Sequence, residues 1–534
     1  MKDVHLLHSP CRPTQKPVVY DHRVLRRHHF LFSGVRWTSR GINLLACGLA
    51  AATGVLGNCR AALPETLVSP GSNLAQLVAS SPPGTDFILL PGKHYAANII
   101  PKDHQRFDGQ PGAILSGAVR LGPFSRAGQY WSASGPLPLP LSHGSCDHRL
   151  GATADACLFR EDLFVDETPF QRVQAIDQLR GQTWYQFRAT GEVLLPFDPG
   201  GHLVEMSNGT AAFSGPAHDI TIRHLLIEQY ASIAQHGAIE GTSGSHWTVV
   251  DNEVRYNSGT GIRTGNNMQV ESNLVTSNGQ LGIGGGGDSL LIARNEIVGN
   301  NTHAFNVSWE AGGTKFWSTN HLLFVHNCVR DNMGHGIWTD TDNRNASIVG
   351  NWAINNWGLG IFHEISGRVI IADNVSAWNG SRETSPESQQ ILITGSIDGL
   401  VWHNRVEVAP DRGQGIFIGQ EGRVNETKAI HKMPEYVSQD NLIIGNEITF
   451  LGDAGFSGFY NSKGDASSML AVNRFEDNEI VAPETNPRRF KVGGSTLDLA
   501  AAQGRGQEIG SHVRAEKGNE FSPPSCPAGI GRGQ

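Results

Sequence analysis

The chain has 534 residues, a formal net charge of −8, only 17% charged residues and 64 glycines. That balance is rich in turns and excludes a coiled coil or a disordered chain. The acidic excess argues against nucleic acid and against an anionic membrane surface as partners, since both select basic patches.

Residues 1–62 read as a leader. Arg23, Arg26, Arg27, Arg36 and Arg40 precede the charge-free run GINLLACGLAAATGVLG (41–57), and small residues follow near Ala61. A basic segment, an apolar segment and a small-residue exit make a secretory signal, and its length fits a start downstream of Met1. A membrane anchor is the alternative, but Gly, Thr and Asn dilute the run. The expectation is a secreted or periplasmic bacterial protein with no membrane span in the mature chain.

Residues 63–118 carry a cap and the first coils. SNLAQLVASSPPG (72–84) predicts a short helix that shields the open end of a solenoid. Residues 119–215 are Pro-rich, include EDLFVDETPFQRV, and predict a β-rich insertion that walls one side of a cleft. Cys146 and Cys157 close a short loop there and are expected to form a disulfide.

Residues 216–485 repeat. The tetrapeptides DNEV, SNLV, RNEI, HNCV, GNWA, DNVS, HNRV, GNEI and DNEI align Asn252, Asn273, Asn295, Asn327, Asn351, Asn374, Asn404, Asn446 and Asn478. Five residues on stands a second column: Asn257, Asn278, Asn300, Asn332, Asn356 and Asn379. Ten residues on stands an apolar one: Ile262, Ile283, Phe305, Ile337 and Ile361. A short period with alternating strands, Asn/Gly turns and no room for crossover helices predicts an all-β, right-handed parallel β-helix with asparagine ladders at its turns. Cys328, directly after its ladder asparagine, is expected to be a free core thiol. Residues 486–534 form a tail in which TLDLAAAQ (496–503) predicts a capping helix.

Two coils end alike, in Gly336-Ile337-Trp338-Thr339-Asp340 and Gly360-Ile361-Phe362-His363-Glu364. With Ile337 and Ile361 in the core, alternation turns Asp340 and Glu364 outward as stacked neighbours about 4.8 Å apart. Phased on Phe305, the preceding coil puts Ser308 in the same column and Glu310 in the next, beside Asp342. Crowded carboxylates need a use or a neutralising partner. A retaining glycosidase requires a pair about 5–5.5 Å apart. A calcium site of oxygen ligands and a merely solvated acidic face compete. Trp309, Trp338 and Phe362 around the acids add the exposed stacking faces that a sugar ring uses. Asp342 and His363 complete the candidate sugar-binding set, although alternation points His363 inward. Gly265 and Gly286, in the same column on earlier coils, would leave room for a cleft floor.

EAGGTKF (310–316), GIWTD (336–340) and GIFHEIS (360–366) resemble the catalytic core of glycoside hydrolase family 120, β-xylosidases on a right-handed parallel β-helix. The resemblance implies Asp340 as nucleophile and Glu364 as acid/base, with Glu310 and Lys315 at substrate-side positions and no cofactor. After Glu364 the chain departs from the family's His-Gly-Pro-like continuation and has Ile365-Ser366-Gly367. Two rivals stand beside a retaining glycoside hydrolase of oligo- or polysaccharides. One is a Ca²⁺-dependent polysaccharide lyase or uronate epimerase, with the ion on Glu310, Asp340 and Asp342 and Lys315 or Arg263 as base. The other is a non-catalytic carbohydrate-binding surface β-helix. The acidic patch favours a neutral sugar.

Overall fold

The computed structural model describes residues 65–152, 155–381, 388–425, 435–483, 488–515 and 521–531, so the leader reading lies outside the described residues. Among the described residues three sheets of 13, 12 and 13 strands, parallel but for one terminal pair, form the solenoid, and successive coils add one strand to each. Along the 13-stranded sheet that begins at Thr66–Val68, neighbours pair in register, as Ile222↔Val249 and Val249↔Val270 show. One or two apolar residues per strand enter the interior, and Ile262, Ile283, Ile337, Ile361, Ile391 and Ile416 are fully buried there. The structure is an all-β parallel β-helix.

Asparagines hold the turns. Asn273 donates through Nδ2 to Asn295 Oδ1 at 3.0 Å, Asn295 to Asn327 at 3.0 Å, and Asn327 to Asn351 at 3.1 Å. The second column runs from Asn257 to Asn379, which then donates to Gln390 Oε1 at 2.8 Å. Each amide also reaches a backbone carbonyl, as Asn295 does at Val270. The residue before each ladder position has a positive φ: Asp251, Ser272, Arg294, His326 and Asp373 in the first column, Tyr256, Ser277 and Asp331 in the second. A left-handed residue turns the chain but leaves buried backbone groups without ladder partners. The asparagine amide supplies them, and an orphaned group there costs about 1–3 kcal/mol.

The N-terminal helix Leu74–Ser80 buries Leu74 and Val78, with Asn73 as its N-cap. A second short helix, Leu499–Gln503, is capped by Asp498. The insertion is an eight-stranded, mostly antiparallel sheet from Ala118–Arg120 to Val204–Ser207. The solenoid continues across it without slippage, since Phe107 pairs with Ile222. Among the described residues no helix is long and apolar enough to cross a membrane.

Cys146 and Cys157 are disulfide-bonded, with Cα atoms 5.5 Å apart. Cys328 is not a free thiol: it is bonded to Cys526, 198 residues on. Val329 takes the core position of that strand, so Cys328 faces outward, where the C-terminal segment covers it. Sequence spacing offered no sign of so distant a partner.

Candidate functional site

The candidate site lies on the 12-stranded sheet. There Trp317 pairs with Asp340, Asp340 with Glu364, and Glu364 with Thr394. Asp340 and Glu364 therefore stack on adjacent strands, as the repeat implied. The residue before Asp340 in this column is Trp317, not Ser308. The coil from Asn295 to Asn327 is longer than its neighbours, and the added residues form the helical turn Val307–Glu310, with Asn306 as N-cap. Ile283 pairs with Thr314, while Phe305 leaves the ladder to pack with Cys157, Ala234 and Ala311. Counting from Phe305 misplaced Ser308 and Glu310 for that reason. Gly286 does not floor an open cleft, because a Cβ there would lie 2.5 Å from the Trp317 ring.

Asp340 meets a cation. Lys315 Nζ lies 2.9 Å from Asp340 Oδ2, donates to the Trp309 carbonyl at 2.6 Å and sits 3.7 Å over the Trp338 ring. Glu364 meets a drier environment, with a side chain 8% exposed. Trp338 Nε1 donates to its Oε2 at 3.2 Å, and Arg423 reaches Oε1. Burial first, and the Asp340 carboxylate second, push the Glu364 carboxyl up to about 8, against the pull of Arg423 and Lys315. The two stacked acids thus stand in different surroundings.

Trp338 and Phe362 face out of the solenoid but are not exposed. Their rings stack at 5.4 Å and 18° and join Leu359, Leu392 and Phe417 in a second apolar cluster at 2–6% exposure or less. Such stacking is worth roughly 0.5–1.5 kcal/mol beyond area burial. His335 closes this cluster edge-on to Trp338, and its Nδ1 accepts from Leu359 N at 3.0 Å. Burial lowers the His335 imidazole to about 3. The ladder makes Trp338 a wall and a hydrogen-bond donor to Glu364 rather than a free sugar platform. Trp309 is half-buried against His143 and Phe305.

Glu310 is 1% exposed, with Oε1 on Arg263 Nη1 at 2.5 Å and Oε2 on Gln235 Nε2 at 2.7 Å. Gln280 Nε2 also holds the Glu310 carbonyl at 2.8 Å. These bonds fix the helical turn whose Trp309 carbonyl accepts from Lys315. Asp342 does not stand beside Glu310 in a shared column. It follows the strand in a turn with φ +58°, its amide bonded to Ile365 O at 3.0 Å. Glu310, Asp340 and Asp342 therefore do not gather into the calcium set, and among the described residues no group of three or more His, Cys, Asp or Glu is arranged to hold a metal. His363 is withdrawn from the candidate sugar contacts: it is fully buried, with Nδ1 2.8 Å from Thr339 Oγ1 and Nε2 2.8 Å from Gly367 O.

Sequence reasoning missed Arg423, Gln235, His335 and Tyr460, whose hydroxyl donates to Glu421 at 3.1 Å. Burial raises the Tyr460 phenol well above its usual range. Arg423 stands between coils, outside any repeat phase, so no sequence signal marked it. Gln235 and His335 carry no motif.

A family model described as "Right handed beta helix region" matches residues 237–396. No curated protein matches the chain. Among solved structures, XylC with xylose is similar at 15% identity over 84% of this chain and 83% of its own, with a TM-score of 0.55. The mannuronan C-5 epimerase AlgE6 A-module of Azotobacter vinelandii is similar at 12% identity, over 83% of this chain and 94% of its own, with a TM-score of 0.46. The family model and the XylC likeness place the chain among right-handed β-helices by fold.

Proposed function

We propose that the protein is a secreted retaining glycoside hydrolase of neutral saccharides, with β-xylosides as its first candidate substrates. One observation carries the reading: two carboxyls stacked on adjacent strands, one paired with Lys315 and the other raised to about 8. Strand spacing of about 4.8 Å lies close to the 5–5.5 Å of retaining pairs. The xylose of the XylC structure supports a pentose as the sugar to try first. Two disulfides fit an oxidising compartment.

In this mechanism Glu364, protonated, gives its proton to the glycosidic oxygen as that bond breaks. Asp340 attacks the anomeric carbon and forms a glycosyl ester. Glu364, now a carboxylate, removes a proton from water, which attacks the same carbon, expels Asp340 and restores both groups. Arg423, with a side chain 47% exposed, has room to leave Glu364 when substrate enters. Lys315 keeps its contact with Asp340 throughout.

A second reading, a uronate lyase or epimerase, draws on Lys315 and Arg423, two cations beside the acids that could face a sugar carboxylate. A panel of nitrophenyl glycosides, xylo-oligosaccharides and polyuronates, each with and without chelator, separates the readings. Release of reducing sugar with retained anomeric configuration and no chelator effect supports the hydrolase. Unsaturated or epimerised uronate product overturns it.

A further inference from the structure

A cleft of about 920 Å³ opens between the insertion and the coils, away from the acid pair and lined in part by Phe170, Gln174, Gln178, Tyr256, Ser277 and His303. Its size is near the upper end of ligand sites, roughly 300–1,000 Å³, and suits several linked sugar rings better than one. The EDLF stretch, which the candidate active site leaves unused, forms part of its wall through Glu161, Asp162 and Phe164.

The two acids at the wall are paired within the protein, and Arg180 also lines the cleft, exposed at its rim. Glu161 takes Arg172 at 2.9 Å. Asp162 takes His303 Nε2 at 3.0 Å through one oxygen and Ser258 Oγ at 2.9 Å through the other. Two acids set against Arg172 and Arg180 leave little net field for an ionic ligand. Gln174 and Gln178 are exposed at the rim, and Phe170 and Tyr256 are half-exposed. Amides beside aromatic faces are the chemistry that recognises hydroxyl-rich rings.

One further observation points to an occupant, and another sets the direction of an aromatic face. His303 Nδ1 is buried and, among the described residues, has no hydrogen-bond partner. A buried polar atom left so costs about 1–3 kcal/mol unless something meets it. Tyr256 holds φ +53° at a turn position where neighbouring coils place Ser277, Gly299 and Asp331. The positive φ belongs to the repeat, since Trp378 holds φ +59° at the same position; what is particular to Tyr256 is the ring it carries there. The turn aims the ring at the insertion, 5.9 Å from Phe164.

The loop closed by Cys146 and Cys157 stands between this cleft and the candidate active site. Leu150, Ala156 and the nearby Phe159 line the cleft. Arg149 of the same loop stacks 5.0 Å from the Trp357 ring. Asp147 N donates to Ala304 O at 2.8 Å, and Ser145 O accepts from Asn306 N at 2.9 Å, where the helical turn behind Lys315 begins.

We propose that this cleft is a second saccharide site, which takes a short neutral oligosaccharide and retains the polymeric substrate or its product beside the active site. The inference rests on the hydrolase reading for its choice of ligand. Tyr256→Asn tests it, because Asn accepts positive φ and removes the ring without disturbing the turn.

Asp340→Ala protein, which does not turn substrate over, is titrated calorimetrically with xylotetraose, cellotetraose, mannotetraose and an oligouronate. The expected result is two binding events for one neutral sugar. Adding Tyr256→Asn weakens one of them at least about tenfold, the loss of about 1.4 kcal/mol. In the otherwise unaltered enzyme, Tyr256→Asn leaves kcat/KM on a nitrophenyl glycoside unchanged and raises KM on the polymer. One binding event indifferent to Tyr256→Asn, no neutral sugar bound, or a preference for the oligouronate overturns the proposal. Sugar binding that depends on Tyr256 in a protein inactive on every glycoside overturns the hydrolase and leaves the cleft standing.

Discussion

Asp340 and Glu364 are direct Cα partners on neighbouring parallel strands, and the same register that joins them gives them different surroundings. Two residues back, the preceding coil places Lys315 under Trp338, so its ammonium reaches Asp340. Trp338 and Phe362 then shield Glu364 from water. Stacking alone would make two equivalent acids. In the proposed mechanism, the cation on one coil and the aromatic pair beside the other would separate a nucleophile from an acid, as environments do when paired carboxyls divide their roles.

Replacing Asp340 by Ala should lower kcat on the true substrate on the order of 10³-fold or more, since no covalent intermediate forms. Glu364→Ala should lose about 10²–10⁴-fold on poor leaving groups and much less on nitrophenyl glycosides, which need no acid. Azide should restore part of the Glu364→Ala activity by replacing base-activated water. Steady-state assays of both variants decide this. Near-normal turnover by Asp340→Ala removes it from the nucleophile role.

The alkaline limb of kcat/KM should fall through an apparent pKa of about 8, because the acid must carry its proton in the free enzyme. The same group affects stability. Its folded pKa stands above the ordinary 4.5, so the folded state holds the proton more tightly, and its contribution is complete below about 4.5 and lost as pH rises to about 8. Glu364→Gln should flatten the change in unfolding free energy between those limits. Denaturant melts across that pH range measure it, and an equal slope in both proteins sinks the assignment.

Acid should act through other groups. Burial lowers His363 to about 4 and His335 to about 3 from 6.5. A depressed folded pKa means stability that is present above 6.5 and lost as pH falls through 4 and then 3, because the unfolded chain takes up the protons first. His363→Gln should reduce the loss between pH 6.5 and 4. Melting temperatures at stepped pH give the comparison.

The Arg263–Glu310 pair should support turnover without touching the reacting atoms. Glu310→Ala leaves a guanidinium buried and unpaired, at a cost of about 3–5 kcal/mol. It also loosens the turn that offers the Trp309 carbonyl to Lys315. The expected pattern is lower kcat with a smaller change in KM. The double variant Arg263→Met/Glu310→Met should regain much of the stability but not the kcat. Recovery of both would make the pair purely structural.

The solenoid was legible because its asparagines repeat with the turns they satisfy, and the acid pair was legible because it shares that phase. Legibility ended where a coil left the period. The added turn at Val307–Glu310 broke the count, moving Glu310 and the predicted Ser308 column away from Asp340. Outward alternation was read correctly for Trp338 and Phe362, but outward did not mean exposed, because successive coils stack their rings. Arg423 and Cys526 come from segments with no period, so only the fold brings them to Glu364 and Cys328.

The Cys328–Cys526 bond yields the last prediction. It closes a loop with a sequence separation of 198 and fastens residues near the C-terminus to a strand in the middle of the solenoid. Constraining so long a loop in the unfolded chain is worth up to about 5 kcal/mol in the chain-entropy account. Cys526→Ser should therefore lower the unfolding free energy by several kcal/mol. The candidate catalytic column lies on a different sheet from Cys328, and its strand pairing involves no residue of the tail. Activity at moderate temperature should then stay within about twofold, as expected of a change that acts mainly through the unfolded state. Thermal melts of the Cys526→Ser protein, alongside initial rates on the substrate of the unaltered enzyme, give both numbers. A variant with unchanged stability would show that the tail is held by its packing alone, and one that is fully folded but inactive would place the tail in the function of the site.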